Sequence, residues 1–191
     1  MRIPLIELDL RMSMNRLNFD RVLFLDIDGV LHPDGKGEYE DFCCLPAVCD
    51  VLRSADPMGK LPIVVTSAWR HTQRLDAIKS NFPEDISQQI VGVTPDWLEQ
   101  NAASLSADSA HGGKPARSHR RQDEIATWIS RNAPGGRWLA VDDRAGGFED
   151  RCPHLFLVPG ATEDGGGQGI TAPVAIDLQQ RLNSFLALFQ E

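Results

Sequence analysis

Long apolar runs are missing from this chain of 191 residues. No stretch approaches the roughly 18 apolar residues of a membrane-spanning helix. Met1 to Asp20 carries charges throughout, unlike a secretory leader. The expected address is therefore the cytoplasm, with no membrane partner. Cysteine is scarce: Cys43, Cys44, Cys49 and Cys152 show neither Cys-x-x-Cys spacing nor accompanying histidines. That excludes a disulfide framework and a zinc finger, and leaves free thiols. Positive charge is in deficit, with 19 basic against 27 acidic side chains and a net charge of −8. Nothing therefore draws the chain as a whole to nucleic acid or anionic lipid. An anionic partner has to be held locally, and the basic concentration is Lys114, Arg117, His119, Arg120 and Arg121. No internal repeat is visible, and no obligate protein partner is implied.

What is present is enough for one core: 42% of the residues are hydrophobic and 24% charged. Residues 1–20 read as an N-terminal extension and 21–191 as a single domain. Strands are expected at Val22–Leu25, Ile63–Val65, Ile90–Val93, Trp138–Val141 and Leu155–Val158, each an apolar, β-favouring run. Between them, helical spacing predicts helices over Pro46–Leu52, His71–Asn81 and Gln122–Arg131, with a last one from Pro173 to Leu188. A long loop fills 94–119, and Gly165–Gly169 is a second loop. Strand–helix alternation of this kind predicts a parallel sheet covered on both faces, a three-layer α/β/α sandwich.

In such a sheet the ligand site lies outside the carboxyl ends of the strands. Those ends present Asp26 and Asp28, Thr66 and Ser67, and Asp142 and Asp143, drawn from three distant segments. Four carboxylates gathered at one place repel unless a cation sits among them. Oxygen ligands without histidine or cysteine point to Mg²⁺, and Mg²⁺ with open positions points to a phosphate guest. Aspartate is a competent nucleophile toward phosphorus, and Asp26 stands at the strand tip. Asp28 lies on the same side of the extended chain, placed to act as general acid and base. Thr66 offers a hydroxyl and an amide to phosphoryl oxygens, and Lys114, Arg120 and Arg121 are candidates for the compensating cation. Ser67 reads as a helix cap that can also meet substrate, beside Arg70 and Lys114. Trp69 and Trp128 read as packing residues, and His32 and Asp34 as ordinary turn or surface residues.

Taken together, these segments resemble the haloacid dehalogenase-like superfamily of phosphatases and phosphotransferases. The first signature stands as Leu25-Asp26-Ile27-Asp28-Gly29, the second as Ile63-Val64-Val65-Thr66-Ser67, and the fourth as Val141-Asp142-Asp143-Arg144. For the third, a lone basic residue, Arg121 at the start of the helix before strand four is favoured over Lys114. Thr66-Ser67-Ala68-Trp69-Arg70 and Gly169-Ile170-Thr171 are similar to a small capless branch found in bacterial RNA-repair proteins. The resemblance implies a Rossmann-like sheet without a large cap and an aspartyl-phosphate on Asp26. Asp26, Asp28, Asp142 and Asp143 would hold Mg²⁺. It also implies an accessible substrate, a small phosphomonoester or a nucleic acid end. A phospho-accepting receiver domain would have the acid pair on its first strand and the accepting aspartate later, the reverse of the order here. A non-catalytic, metal-bound regulatory module is the remaining alternative.

Overall fold

Val22, Leu23, Phe24 and Leu25 are all fully buried, as befits a strand covered on both faces. In the computed structural model, which describes residues 19–34, 40–97, 120–160 and 166–187, this strand β1 (Arg21–Leu25) holds the centre of the sheet. β2 (Ile63–Val65) and β4 (Arg137–Asp142) flank it, and β3 (Ile90–Val93) and β5 (Leu155–Leu157) form the edges. The order is β3-β2-β1-β4-β5 and every pairing is parallel.

Side chains alternate between two cores. Leu23, Leu25, Ile63, Val65, Leu139 and Val141 face one way, onto helices α1 (Leu45–Ala55) and α5 (Ala172–Ala187). On α5, Val174, Leu178, Leu182 and Phe185 recur at three- and four-residue spacing and form its buried stripe. Val22, Phe24, Val64 and Ala140 face the other way, onto Ile125 and Trp128 of α4 (Arg120–Asn132). Phe24 meets Trp128 edge-on, with ring centroids 5.6 Å apart. The three expected layers are therefore there. Among the described residues no helix is long and apolar enough to cross a membrane, and no separate cap domain stands beside the sheet.

The expected single helix over 71–81 is instead two pieces. A 3₁₀ turn (Ala68–His71) follows β2 directly, and α2 (Leu75–Lys79) begins only after Arg74. A further helix, α3 (Glu84–Gln89), was not anticipated, although Pro83 followed by two acids in the first turn is an N-terminal pattern. α4 starts at Arg120 rather than at Gln122. The expected loop 94–119 lies outside the described residues beyond Trp97, and so does the N-terminal extension apart from Phe19 and Asp20. Phe19 stacks on Trp128, and the Asp20 carbonyl accepts from the Arg137 amide at 2.9 Å.

Register fixes what happens at the sheet's tip. Leu25 pairs with Val65 on one side and Val141 on the other. The next residues, Asp26, Thr66 and Asp142, thus emerge side by side. The ladder continues through them: the Asp26 amide donates to the Val141 carbonyl at 3.0 Å, and the Thr66 amide to the Leu25 carbonyl at 2.9 Å.

Candidate active site

Three acids meet at this tip. Asp26, Asp142 and Asp143 are buried, and one oxygen of each lies within 4.8 Å of the others. The Asp26 carboxyl is pushed up from the usual 3.8 to about 8, first by burial, with Arg121 pulling it down and the neighbouring charges of Asp142 and Asp143 adding to the rise. Burial likewise raises Asp142 and Asp143. Two of their oxygens, Asp142 Oδ2 and Asp143 Oδ1, are buried without a hydrogen bond. Crowded carboxylate oxygens, two of them without a hydrogen bond and with no nitrogen or sulfur ligand among them, are the donor set a hard divalent cation takes. The residues fit such an ion. Asp28, expected with them, lies outside this group of three.

Arg121 answers part of the negative charge. It projects from the first turn of α4, where Nη2 donates to Asp26 Oδ2 at 3.1 Å and Nη1 to Thr66 Oγ1 at 3.2 Å. Its Nε stands 3.2 Å from Asp142 Oδ2. Burial works against its charge, but Asp26, Asp142, Glu124 and Asp143 outweigh that, and its pKa is raised. Gly147 makes room for it, since a Cβ there would lie 2.9 Å from the Arg121 Cβ. Neighbouring Arg120 instead lies over the Trp97 ring, 4.9 Å from its centroid. Of the other basic candidates, Lys114 lies outside the described residues. Thr66 is fully buried and also receives the Thr94 hydroxyl at 3.4 Å.

Arg70 is neither exposed nor idle. Its Nη2 donates to Glu124 at 2.7 Å, with both side chains 7% exposed, and its Nη1 donates to the Ser67 carbonyl at 2.7 Å. Burial lowers the Arg70 pKa. Glu124 accepts the Trp97 amide as well, at 3.1 Å. Ser67 does cap the 3₁₀ turn, accepting from the Trp69 amide, and its hydroxyl also reaches Asp28 Oδ2, both at 3.4 Å. Asp28 is held ionised chiefly by its His32 hydrogen bond, against burial, with Trp69 and Ser67 helping, and its pKa is lowered.

Three contributors leave little sign in the sequence. His32 and Trp69, read as ordinary residues, both contact Asp28. The third, Gly167, comes from the glycine-rich loop: its amide donates to Asp143 Oδ2 at 2.8 Å, leaving Oδ1 as the orphan. A Cβ on Gly167 would strike Asp143 and the Gly29 carbonyl. Gly29 itself turns at φ +72°, and a side chain there would run into the Asp143 carboxylate. The loop is stitched down by the Gly169 amide to the Gly29 carbonyl at 3.1 Å and the Ile170 amide to the Val30 carbonyl at 2.9 Å. Asp34 is no free turn residue either, because it pairs with Arg144 at the rim.

An open parallel sheet with an aspartate at the tip of its first strand, a second-strand threonine, a buried arginine and a fourth-strand acid pair defines a haloacid dehalogenase-like hydrolase. More narrowly, the family model described as the HAD domain in Swiss Army Knife RNA repair proteins matches residues 22–164, and the chain belongs to that family. No curated protein and no solved structure matches the chain. The family typically uses a divalent metal, in keeping with the acid cluster.

Proposed function

We propose that the chain is a Mg²⁺-dependent phosphomonoesterase that works through an aspartyl-phosphate on Asp26. The observation that carries this reading is the buried triad Asp26, Asp142 and Asp143 with the Arg121 guanidinium laid across Asp26, Thr66 and Asp142. Asp26, Asp142 and Asp143 would hold Mg²⁺, with Asp28 as a further candidate ligand. When bound, the ion supplies charge neutralisation for the carboxylates and the phosphoryl oxygens.

The chain's own residues divide the rest. Asp26 attacks phosphorus and its oxygen becomes esterified, while the bond to the leaving oxygen breaks. Asp28 is ionised in the free site, so in this reading it takes up a proton with the bound monoanionic phosphate, passes it to that oxygen, and in the second half-reaction takes one from the attacking water. Thr66 and Arg121 donate hydrogen bonds toward the charge that builds on the phosphoryl oxygens. Ser67 and Lys114 are proposed substrate contacts. Arg70, already answered by Glu124, would act at substrate chiefly by holding the Ser67 segment in place.

The substrate class we infer is a phosphorylated nucleic acid end, because the family is described by RNA repair and the site has no cap among the described residues. A net charge of −8 makes the local basic residues around Arg121, rather than the whole protein, the means of holding such an end. The test is a phosphate-release screen over 3′- and 5′-phosphorylated oligonucleotides, nucleotides and sugar phosphates, with Mg²⁺ and with chelator. Asp26→Asn is expected to abolish Mg²⁺-dependent release and to keep the fold. Undiminished release by that variant would remove Asp26 as the nucleophile.

A further inference from the structure

The turn that leads into α1 carries two adjacent thiols. Cys43 is exposed and Cys44 half-buried, and their sulfurs stand 3.9 Å apart, within reach of an S–H···S contact. Backbone hydrogen bonds pin the turn around them: the Cys43 amide donates to the Glu40 carbonyl at 3.1 Å and the Leu45 amide to the Phe42 carbonyl at 2.9 Å. The Cys44 thiol is pushed up to about 11, first by burial and then by Cys43, and so stays protonated. Cys43 is therefore the sulfur that a reagent from solvent meets first, with Cys44 waiting behind it. The other two thiols, Cys49 and Cys152, are buried.

What surrounds the pair ties it to the active site. Phe42, the residue before it, sits at φ +62°, a left-handed conformation uncommon for an aromatic residue. Its amide donates to His32 Nδ1 at 3.3 Å, and Nε2 of the same ring lies 3.2 Å from Asp28 Oδ1. The Phe42 ring packs edge-on against His32 and against Trp69, with centroids 5.8 and 5.2 Å away, and Trp69 Nε1 donates to that same Asp28 oxygen at 2.8 Å. On the other side of the pair, the Cys44 amide donates to the Leu31 carbonyl at 2.8 Å. The Cys44 sulfur lies against Gly169, where a Cβ would come within 2.6 Å of it. One short turn thus touches both the loop after β1 and the glycine-rich loop.

We propose that Cys43 and Cys44 are a modification site for hydrogen peroxide, closing to a reversible disulfide that shifts the turn supporting His32 and Trp69. The Cys43 sulfur attacks one peroxide oxygen, the O–O bond breaks, and a sulfenic acid and one water result. The Cys44 sulfur then attacks the Cys43 sulfur and gives up its proton, and the sulfenic oxygen leaves as a second water. Two thiols and one peroxide become one disulfide and two waters. The turn cannot stay as it is while this happens, because the sulfurs have to close from 3.9 Å to a bond of about 2 Å. Neighbouring Cα atoms, about 3.8 Å apart across a trans peptide, are also nearer than the roughly 4.4–6.8 Å that disulfides ordinarily span. The Phe42 amide and ring move with the backbone, and their hold on His32 and Trp69 loosens. An exposed disulfide of this kind is one that a thiol reductant reopens. The effect on activity, unlike the ring closure, rests on the phosphatase reading above.

The experiment treats the whole chain with stoichiometric hydrogen peroxide, alkylates the remaining thiols in denaturant and maps the peptides without reduction. A Cys43–Cys44 linkage is expected, with Cys49 and Cys152 alkylated. Amide hydrogen exchange over residues 40–45 should quicken in the oxidised chain. Phosphate release should fall roughly tenfold or more, since a displacement of about 1 Å can cost about 10²-fold. Dithiothreitol should restore both, and Cys43→Ser should keep the basal activity and resist peroxide. The absence of a Cys43–Cys44 linkage, a linkage between two chains through Cys43, or a Cys43→Ser variant as sensitive as wild type overturns the proposal. So does ring closure that leaves exchange and release unchanged. If the reduced chain turns over no phosphate ester, the phosphatase reading fails on its own, and the mapping and exchange still decide this one. Should Cys43→Ser not fold, Cys44→Ala makes the same comparison from the other sulfur.

Discussion

Arg120 and Arg121 are adjacent in sequence and opposite in surroundings, one over the Trp97 ring and the other across Asp26, Thr66 and Asp142. Arg121→Ala should therefore lower kcat by about 10²- to 10³-fold, the scale of a lost donor aimed at developing charge. Arg120→Ala should stay near wild type in the same phosphate-release assay. Comparable losses in the two variants would detach Arg121 from the chemistry. Sequence alone left both open, because a single basic residue has no signature of its own. What separates them is a helix that starts two residues earlier than its apolar spacing implies, so that Arg121 falls in its first turn.

At the scale of elements, the Arg70–Glu124 pair ties the turn after β2 to α4, the two pieces that carry Thr66 and Arg121. Breaking a buried ion pair from one side costs about 3–5 kcal/mol, because the partner stays charged without an answer. Glu124→Ala is expected to lose stability on that scale in urea denaturation, and a loss well under 1 kcal/mol would mean the pair is weakly coupled to folding. The strands were legible because each is an apolar run halted by an acid, a hydroxyl or a turn residue. The pair was not, since a glutamate on a helix is ordinarily solvated, and nothing local in Asp123-Glu124-Ile125 marks the buried one. His32 and Trp69 escaped for a related reason: each is unremarkable alone, and only the register that brings β2 beside β1 sets them around Asp28.

For the whole molecule, the buried acids set a stability that depends on pH and on metal. Asp26 is raised from 3.8 toward about 8, so between those values the folded chain binds a proton that the unfolded chain has released. Stability from this group therefore falls as pH rises from about 4 to about 8 when no cation is supplied. Mg²⁺ should offset that loss, so its addition should raise Tm more at pH 8 than at pH 5, measured against a chelator control. An equal rise at both would speak against an ion among these carboxylates.

The glycine-rich loop bears on the molecule's outline in another way. The span matched to the family, residues 22–164, contains the signature segments yet ends before Gly167, which selects the free oxygen of Asp143. It also ends before Ile170 and α5, whose buried stripe helps close the core on the α1 face. A shortened chain trimmed to that span would keep the named chemistry and lose the part that aims it. The edges of recognisable sequence are thus not the edges of the folding unit, and the last helix belongs to the core on which the active site is built.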